Sequence, residues 1–432
     1  MEEQAKAGKK SIPNKGKLKK AWKDMTREEK IENCVNCFTC EQGVDKNQTI
    51  EDRKQPQTRP FCWYLFPTNA CNIACTYCYA NNKPGKMTKD TMHKTLTWLF
   101  EKQPHKNITC HFFGGEPTVM WDMLVDMVSI GNTMAKNNGY NVTWSMTTNG
   151  TLLDSGKLDW IEKHFRPNNP FLLSIDGRPK THDLHRITKQ GEGTHHLIPV
   201  DEILKRFPTI ECRPTIKPVT TKDWFEDFKW LRNKGFKAIA IEPDYEDDWT
   251  DYWGDYEVLM YQLAEYFVYA HMAGQPIPMK FINNVQRCLK AATVPGGKVC
   301  GVGFNSGGID YRGKLYACQR YASYNDPATY ALGDIENGWD EFRLFQTQHL
   351  ERCHVQGDIS QGFNCATCEV KQFCNKGCNA ANIKVMGRRD VAMPNYCRIT
   401  KIETKAALWA LMSLGQIGTP PKQQQGQSCS CR

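Results

Sequence analysis

Three cysteines crowd into the stretch CNIACTYC, at Cys71, Cys75 and Cys78. The spacing C-x3-C-x2-C puts three thiolates on one short loop. A [4Fe–4S] cluster has four irons, so three protein thiolates leave one iron open to a ligand with an amine and a carboxylate to offer. Zinc is the competing metal; it would want a fourth protein ligand nearby, and Cys62 is at hand. A second, denser set follows downstream. It comprises Cys300, Gly313 with Cys318 five residues later, then Cys365, Cys368, Cys374 and Cys378 in C-x2-C-x5-C-x3-C, and finally Cys397. The chain has 20 cysteines in 432 residues and no apolar leader for export, which argues for metal ligation rather than disulfides. Among the rest, Cys110 and Cys212 read as core. Cys34, Cys37 and Cys40 form C-x2-C-x2-C, either a small extra metal site with Cys62 as a possible fourth ligand or a group of spare thiols, and Cys429 and Cys431 lie in a low-complexity tail.

Six short apolar runs are expected to be strands, at 61–68, 107–115, 141–150, 171–177, 209–218 and 237–245. Amphipathic stretches such as 88–103 and 117–136 separate them. Strand and helix in alternation make an α/β fold with a parallel sheet wrapped by helices. In parallel barrels the chemistry sits at the C-terminal strand ends. Here those ends carry CNIACTYC, GGEP, TTNG and IDG. Glu242 and Asp244 close the sixth strand, where a base acting on substrate could sit, unless they are only polar residues of a barrel mouth.

The net charge of +9 is unevenly spread, with eight lysines in residues 1–24 against three acids. That run reads as a solvated arm, and the remainder gives no case for nucleic acid. No segment reaches the roughly 20 apolar residues of a membrane helix, so a cytoplasmic protein is expected.

With its strand–helix repeat, the cysteine loop resembles the radical S-adenosylmethionine (SAM) superfamily. The resemblance implies a partial (β/α)6, TIM-like barrel, a [4Fe–4S] cluster on Cys71, Cys75 and Cys78, and SAM bound to that cluster. Tyr77 would then pack near the adenine. The motif Gly114, Gly115, Glu116 and Pro117 would bind the methionyl amino group. Ser174 and Arg186 match positions that contact SAM, and Asn149 and Asp176 would lie near the ribose. Strand-end turn chemistry is the alternative for Asn149, Ser174 and Asp176; for Arg186 it is a surface ion pair.

The downstream cysteines resemble the SPASM extension of anaerobic sulfatase maturases and of enzymes that form thioether links in peptides. That resemblance implies two auxiliary iron–sulfur clusters. The distal one would use Cys365, Cys368, Cys374 and Cys397, and the proximal one Cys300, Cys318 and Cys378. In sulfatase maturases a fourth proximal ligand follows the first by six residues; here that position is Ser306. Cys353, His354 or another residue completes the set, or one iron stays open to substrate. Gln319 follows Cys318 where the maturases carry an Asp base, and an amide cannot take a proton in that role. Formylglycine formation is therefore disfavoured. The expected activity is reductive cleavage of SAM to a 5′-deoxyadenosyl radical that takes hydrogen from a residue of a peptide or protein, with thioether or another cross-link as outcome. Modification of a small molecule is the alternative. An external electron donor such as flavodoxin or ferredoxin is implied. The expected organisation is a basic segment (1–57), the barrel (58–250), a helical bridge (251–295), the auxiliary-cluster domain (296–400), and a terminal helix with a flexible tail (401–432).

Overall fold

The computed structural model describes residues 61–81, 83–290, 302–344, 347, 356–388 and 391–416. Cys34, Cys37, Cys40, Cys300, Cys353, His354, Cys429 and Cys431 lie outside the described residues. The barrel strands are β1 (Cys62–Thr68), β2 (Asn107–Gly114), β3 (Asn141–Thr148) and β4 (Phe171–Leu173). Each of the last two positions is a strand in two pieces: β5 (Glu211–Cys212) with β6 (Thr215–Ile216), and β7 (Ala238–Ile239) with β8 (Glu242–Pro243). All of these pair in parallel, in the order β1-β2-β3-β4-β5-β7, with β6 beside β8.

The sheet does not stop at β1. A hairpin of β9 (Ser306–Ile309) and β10 (Leu315–Tyr316) extends it, β9 lying parallel to β1. Ser306 is thus a strand residue of the main sheet, set opposite Cys62.

Alternation along the strands sorts the two faces. Trp63, Leu65, Phe112, Trp144 and Met146 are buried under the helices in the main apolar core. The opposite face carries Tyr64, Phe66 and Phe113, which pack with Cys318, Tyr321 and Tyr324 in a second apolar cluster. His111 shares that face, bridging Ser145 (2.8 Å) and Thr147 (2.8 Å).

Helix α1 (Lys89–Glu101) starts at Thr88, whose hydroxyl accepts from the Thr91 N–H at 3.1 Å. The segment expected as one helix from 117 divides into a 3-10 turn, Pro117–Met120, and α2 (Trp121–Asn137), because Glu116 caps the turn through the Thr118 N–H. On the far side, α3 (Trp253–Met272) and α4 (Lys280–Lys290) pack against the long helix α5 (Pro394–Ser413). A boundary at 400/401 would cut α5 in its middle, so Cys397 and the terminal helix are one element. Among the described residues no helix is long and apolar enough to cross a membrane.

Gly114 and Gly115 exist for chain-to-chain packing at the end of β2. A Cβ on Gly114 would stand 2.1 Å from the Thr68 carbonyl oxygen, and one on Gly115 would stand 2.2 Å from that of Ala70. Both contacts are with backbone that cannot swing aside. The Gly115→Ala protein should therefore lose about 1–3 kcal/mol of stability and retain less iron at the first cysteine loop. Thermal unfolding and iron analysis check this, and a variant with unchanged melting and iron would contradict the packing argument.

Candidate functional site

The loop leaving β1 carries Cys71, Cys75 and Cys78 and is clamped from two sides. On one side, the Ala74 N–H donates to the Ile187 carbonyl (2.7 Å) and the Thr76 N–H to that of His185 (2.9 Å). On the other, Asn72 donates to the Thr151 hydroxyl (2.8 Å) and accepts from the Asn149 amide (3.0 Å). Beneath the loop, one buried carboxylate joins four segments. Asp176 accepts from the Tyr77 hydroxyl (2.6 Å), from Arg186 Nε (3.0 Å) and from the Thr215 N–H (2.9 Å).

Arg186 is itself buried, so its ion pair is internal rather than on the surface. Its Nη1 stands 4.0 Å from the Cys75 sulfur, and its guanidinium lies 5.3 Å from the centre of the Tyr77 ring. The turn that delivers Arg186 is anchored by Asp227, which accepts from the Arg178 N–H (2.9 Å), Arg178 Nε (2.7 Å) and the Thr181 hydroxyl (2.9 Å). Asp227 escaped sequence reasoning because it lies on a helix surface-patterned like any other.

The GGEP and TTNG residues are more occupied with the protein than sequence reasoning expected. Glu116 is buried, and its carboxylate accepts from the Thr118 N–H (3.1 Å), the Thr118 hydroxyl (2.6 Å), the Thr148 hydroxyl (2.8 Å) and the Asn149 N–H (2.8 Å). Burial pushes its pKa up while those donors pull it down. Glu116 therefore ties the ends of β2 and β3 together. A Cβ on either of its glycines would meet the backbone of 68–70. Asn149 is engaged with Thr151 and Asn72, and its amide lies 3.9 Å from the Cys71 sulfur. Ser174 sits half-buried beside this knot, its N–H donating to the Thr148 carbonyl at 2.9 Å.

The donor set fits a [4Fe–4S] cluster. Burial pushes the pKa of Cys71 up to about 12 and that of Cys75 up to about 11, the nearby Arg186 opposing the latter shift. Thiolates there need a cationic partner, which the irons of a cluster provide. Among the described residues no three His, Cys, Asp or Glu side chains converge to hold a single ion. Thiolates that each bind a different iron stand farther apart than the ligands of one zinc.

At the barrel mouth the two expected acids differ. Burial raises the Glu242 carboxyl, but Arg213 (2.8 Å) and Lys280 outweigh it and hold the pKa down to about 2. A carboxylate so tightly paired is a poor base. For Asp244, burial dominates and the pKa is raised despite Lys217 at 3.1 Å. Between this mouth and the cysteine loop lies Arg320, in the helical turn directly after Cys318. Its guanidinium sits 4.0 Å above the Tyr79 ring, donates to the Tyr245 hydroxyl (2.7 Å) and pairs with Glu246. The only sequence signal for this knot was adjacency, since Tyr79 follows Cys78 and Arg320 follows Gln319.

A cavity of about 180 Å³ opens beside it, lined among others by Glu242, Lys280, Cys378, Tyr396 and Glu403. Of the downstream cysteines, Cys365, Cys368, Cys374 and Cys397 lie within electrostatic reach of one another. Burial pushes Cys374 up to about 11 and Cys397 up to about 12, and the neighbouring thiols add to both shifts. Cys318 belongs to the second apolar cluster, and Cys378 packs against both that cluster and the main core.

Residues 65–242 match the model of the Radical SAM superfamily. The chain is 23% identical over 332 residues to the cysteine-type anaerobic sulfatase-maturating enzyme of Clostridium novyi, covering 71% of this chain and 84% of that protein. It is 22% identical over 371 residues to the radical SAM cyclopropyl synthase TigE of Paramaledivibacter caminithermalis, with 78% and 72% covered. In fold it is similar to anSMEcpe with bound AdoMet (TM-score 0.67, 19% identity, 83% of this chain and 95% of that one). It is also similar to Streptococcus suis SuiB bound to precursor peptide SuiA (TM-score 0.52, 13% identity, 86% and 87%). The chain is a radical SAM enzyme, with the family's domain at residues 65–242. That family uses a [4Fe–4S] cluster and SAM.

Glu403 makes the cavity sensitive to pH. Burial pushes its pKa up from 4.5 to about 7, against the hydrogen bond from Tyr256 (2.8 Å). The unfolded chain gives up this proton sooner than the folded one, so stability falls as pH rises from about 4.5 to about 7 and is level above. Glu403→Gln cannot ionise and escapes that loss. Relative to wild type it should gain about 1–2 kcal/mol between pH 5 and pH 8. Anaerobic unfolding at both pH values tests this, and a difference between the proteins that is independent of pH would refute it.

Proposed function

We propose that this enzyme abstracts hydrogen from a residue of a peptide or protein and so installs a post-translational modification, a cross-link such as a thioether among the outcomes. When bound, the first cluster supplies an electron that cleaves SAM to methionine and a 5′-deoxyadenosyl radical, after reduction by an external donor such as flavodoxin or ferredoxin. The chain's own residues position and enclose. Cys71, Cys75 and Cys78 would hold the cluster, with Asp176, Arg186 and Tyr77 fixing the loop from beneath. The observation that carries the reading is this cysteine loop, held by buried bonds at the C-terminal ends of a parallel barrel.

The half-buried Ser174 and the face of Tyr77 would contact SAM. Glu116 and Asn149 would act through the strand ends they fasten, as positioning residues. Asp244, in its half-buried pair with Lys217, is the group suited to take a proton from substrate. An auxiliary cluster on Cys365, Cys368, Cys374 and Cys397 is supported by the electrostatic reach of these thiols on one another; a second would use Cys318 and Cys378, with Cys300 from outside the described residues. A peptide substrate is supported by relatives, since anSMEcpe was solved with the Cp18Cys peptide and SuiB with precursor peptide SuiA. The similarity to a sulfatase-maturating enzyme favours formylglycine formation as a second reading. Gln319, opening a helical turn immediately after Cys318, speaks against it.

Anaerobically reconstituted protein should hold about 12 irons if three four-iron clusters form. Near-stoichiometric zinc with little iron would sink the reading. Reduced wild type should form 5′-deoxyadenosine from SAM, and Cys75→Ala should lose that activity while keeping the auxiliary iron. Asp244→Asn should retain SAM cleavage without substrate and lose about 100-fold or more in product formation. Product formed by Asp244→Asn at the wild-type rate would remove Asp244 from the proton-transfer role.

A further inference from the structure

Read as an auxiliary-cluster site, the proximal set has Ser306 where the resemblance expects a ligand. The structure puts a thiol on the neighbouring strand at that level. Cys62 opens β1, Ser306 opens β9, and the two are direct partners in the parallel ladder. The Cys62 N–H donates to the Asn305 carbonyl at 3.0 Å, fixing this register at the strand start. Residues paired in this way project from the same face of a sheet.

The antiparallel register of β9 and β10 pairs Ile309 with Leu315 and Gly308 with Tyr316. Carried two residues further, it brings Ser306 level with Cys318. Cys62, Ser306 and Cys318 therefore form a row across three neighbouring chain segments. Steps of about 4.8 Å leave roughly 10 Å between the outer two backbones. That gap is too wide for one zinc ion and suits thiolates that bind different irons of a cluster.

Two further observations identify the face and the space above it. Tyr64 and Phe66, two and four residues after Cys62, pack in the apolar cluster that contains Cys318 and has Cys378 at its margin. Tyr64 lies within electrostatic reach of both the Cys62 and the Cys318 thiols. Along this face β9 offers only Ser306 and Gly308 between the rows of β1 and β10. A larger side chain at 308 would press on the Cys318 carbonyl, 3.2 Å from the position of a Cβ. The strand between the two thiols is thus the one stripped of bulk.

We propose that Cys62 is the missing protein ligand of the proximal auxiliary cluster, replacing from β1 the thiolate that position 306 lacks. This rests on the auxiliary-cluster reading above. Its consequence is that one iron of that cluster is held from β1, beside the segment that carries Cys318.

The test uses full-length protein, reconstituted anaerobically, with iron analysis and electron paramagnetic resonance. Cys62→Ala should lose about four irons, or one iron with the signal of a three-iron cluster, while the signal of the first cluster still shifts on adding SAM. Cys110→Ala, a buried cysteine on β2 that faces the main core, should match wild type in iron and spectrum. If Cys62→Ala fails to fold, Cys62→Ser keeps the size of the side chain and should alter the proximal signal. Cys62 variants with wild-type iron and an unchanged spectrum overturn the proposal. A wild type with only about four irons would instead overturn the auxiliary-cluster reading on which it stands.

Discussion

The carboxylate of Asp176 is the contact on which the rest of the site depends. It takes a phenol from the cysteine loop, a guanidinium from the arm that clamps that loop, and a backbone N–H from β6. Removing one member of such a buried pair leaves the other charge unmatched, typically at a cost of about 3–5 kcal/mol. The arrangement is therefore all or nothing: loop, arm and strand end hold their relative positions only together. A cluster that must present one iron to SAM needs this rigidity, because a displacement of about 1 Å at the reacting atoms carries a large cost in rate.

A second constraint acts through sheet geometry. The β9–β10 hairpin joins the barrel sheet at β1, so the segment leading to Cys318 inherits the register of the strand that leads to the cysteine loop. The two metal regions are thereby fixed to one rigid ladder. Arg320 reinforces the connection by bridging Tyr79, next to Cys78, with Tyr245 and Glu246 from beyond β8. Helix α5 closes the opposite side, carrying Cys397 near its start and Glu403 two turns later.

Polar burial at the mouth separates two acids that are neighbours in sequence. Glu242 has two cations and stays ionised; Asp244 shares Lys217 with Asp247 and is dominated by desolvation. Environment rather than residue type assigns their roles. The same logic makes Glu403 titrate near neutrality in a cavity that also touches Cys378.

Much was legible in the chain alone. Cysteine spacing is a local property, and it named the thiols of the first loop. Short apolar runs alternating with helical patterning located the six barrel strands to within a few residues, because burial writes itself into the sequence. Other features were decided only by tertiary structure. It alone shows that Gly114 and Gly115 allow the close passage of 68–70 and that Glu116 is engaged by Thr118, Thr148 and Asn149. Arg186 could be ranked as an internal or a surface residue only once Asp176 stood beside it. Cys62 carried no spacing signal toward Cys318, since its partner Ser306 is 244 residues away and they meet through strand register. Spacing reports what one loop can hold; which distant side chains share a face depends on the order in which strands pair, and no local pattern encodes that.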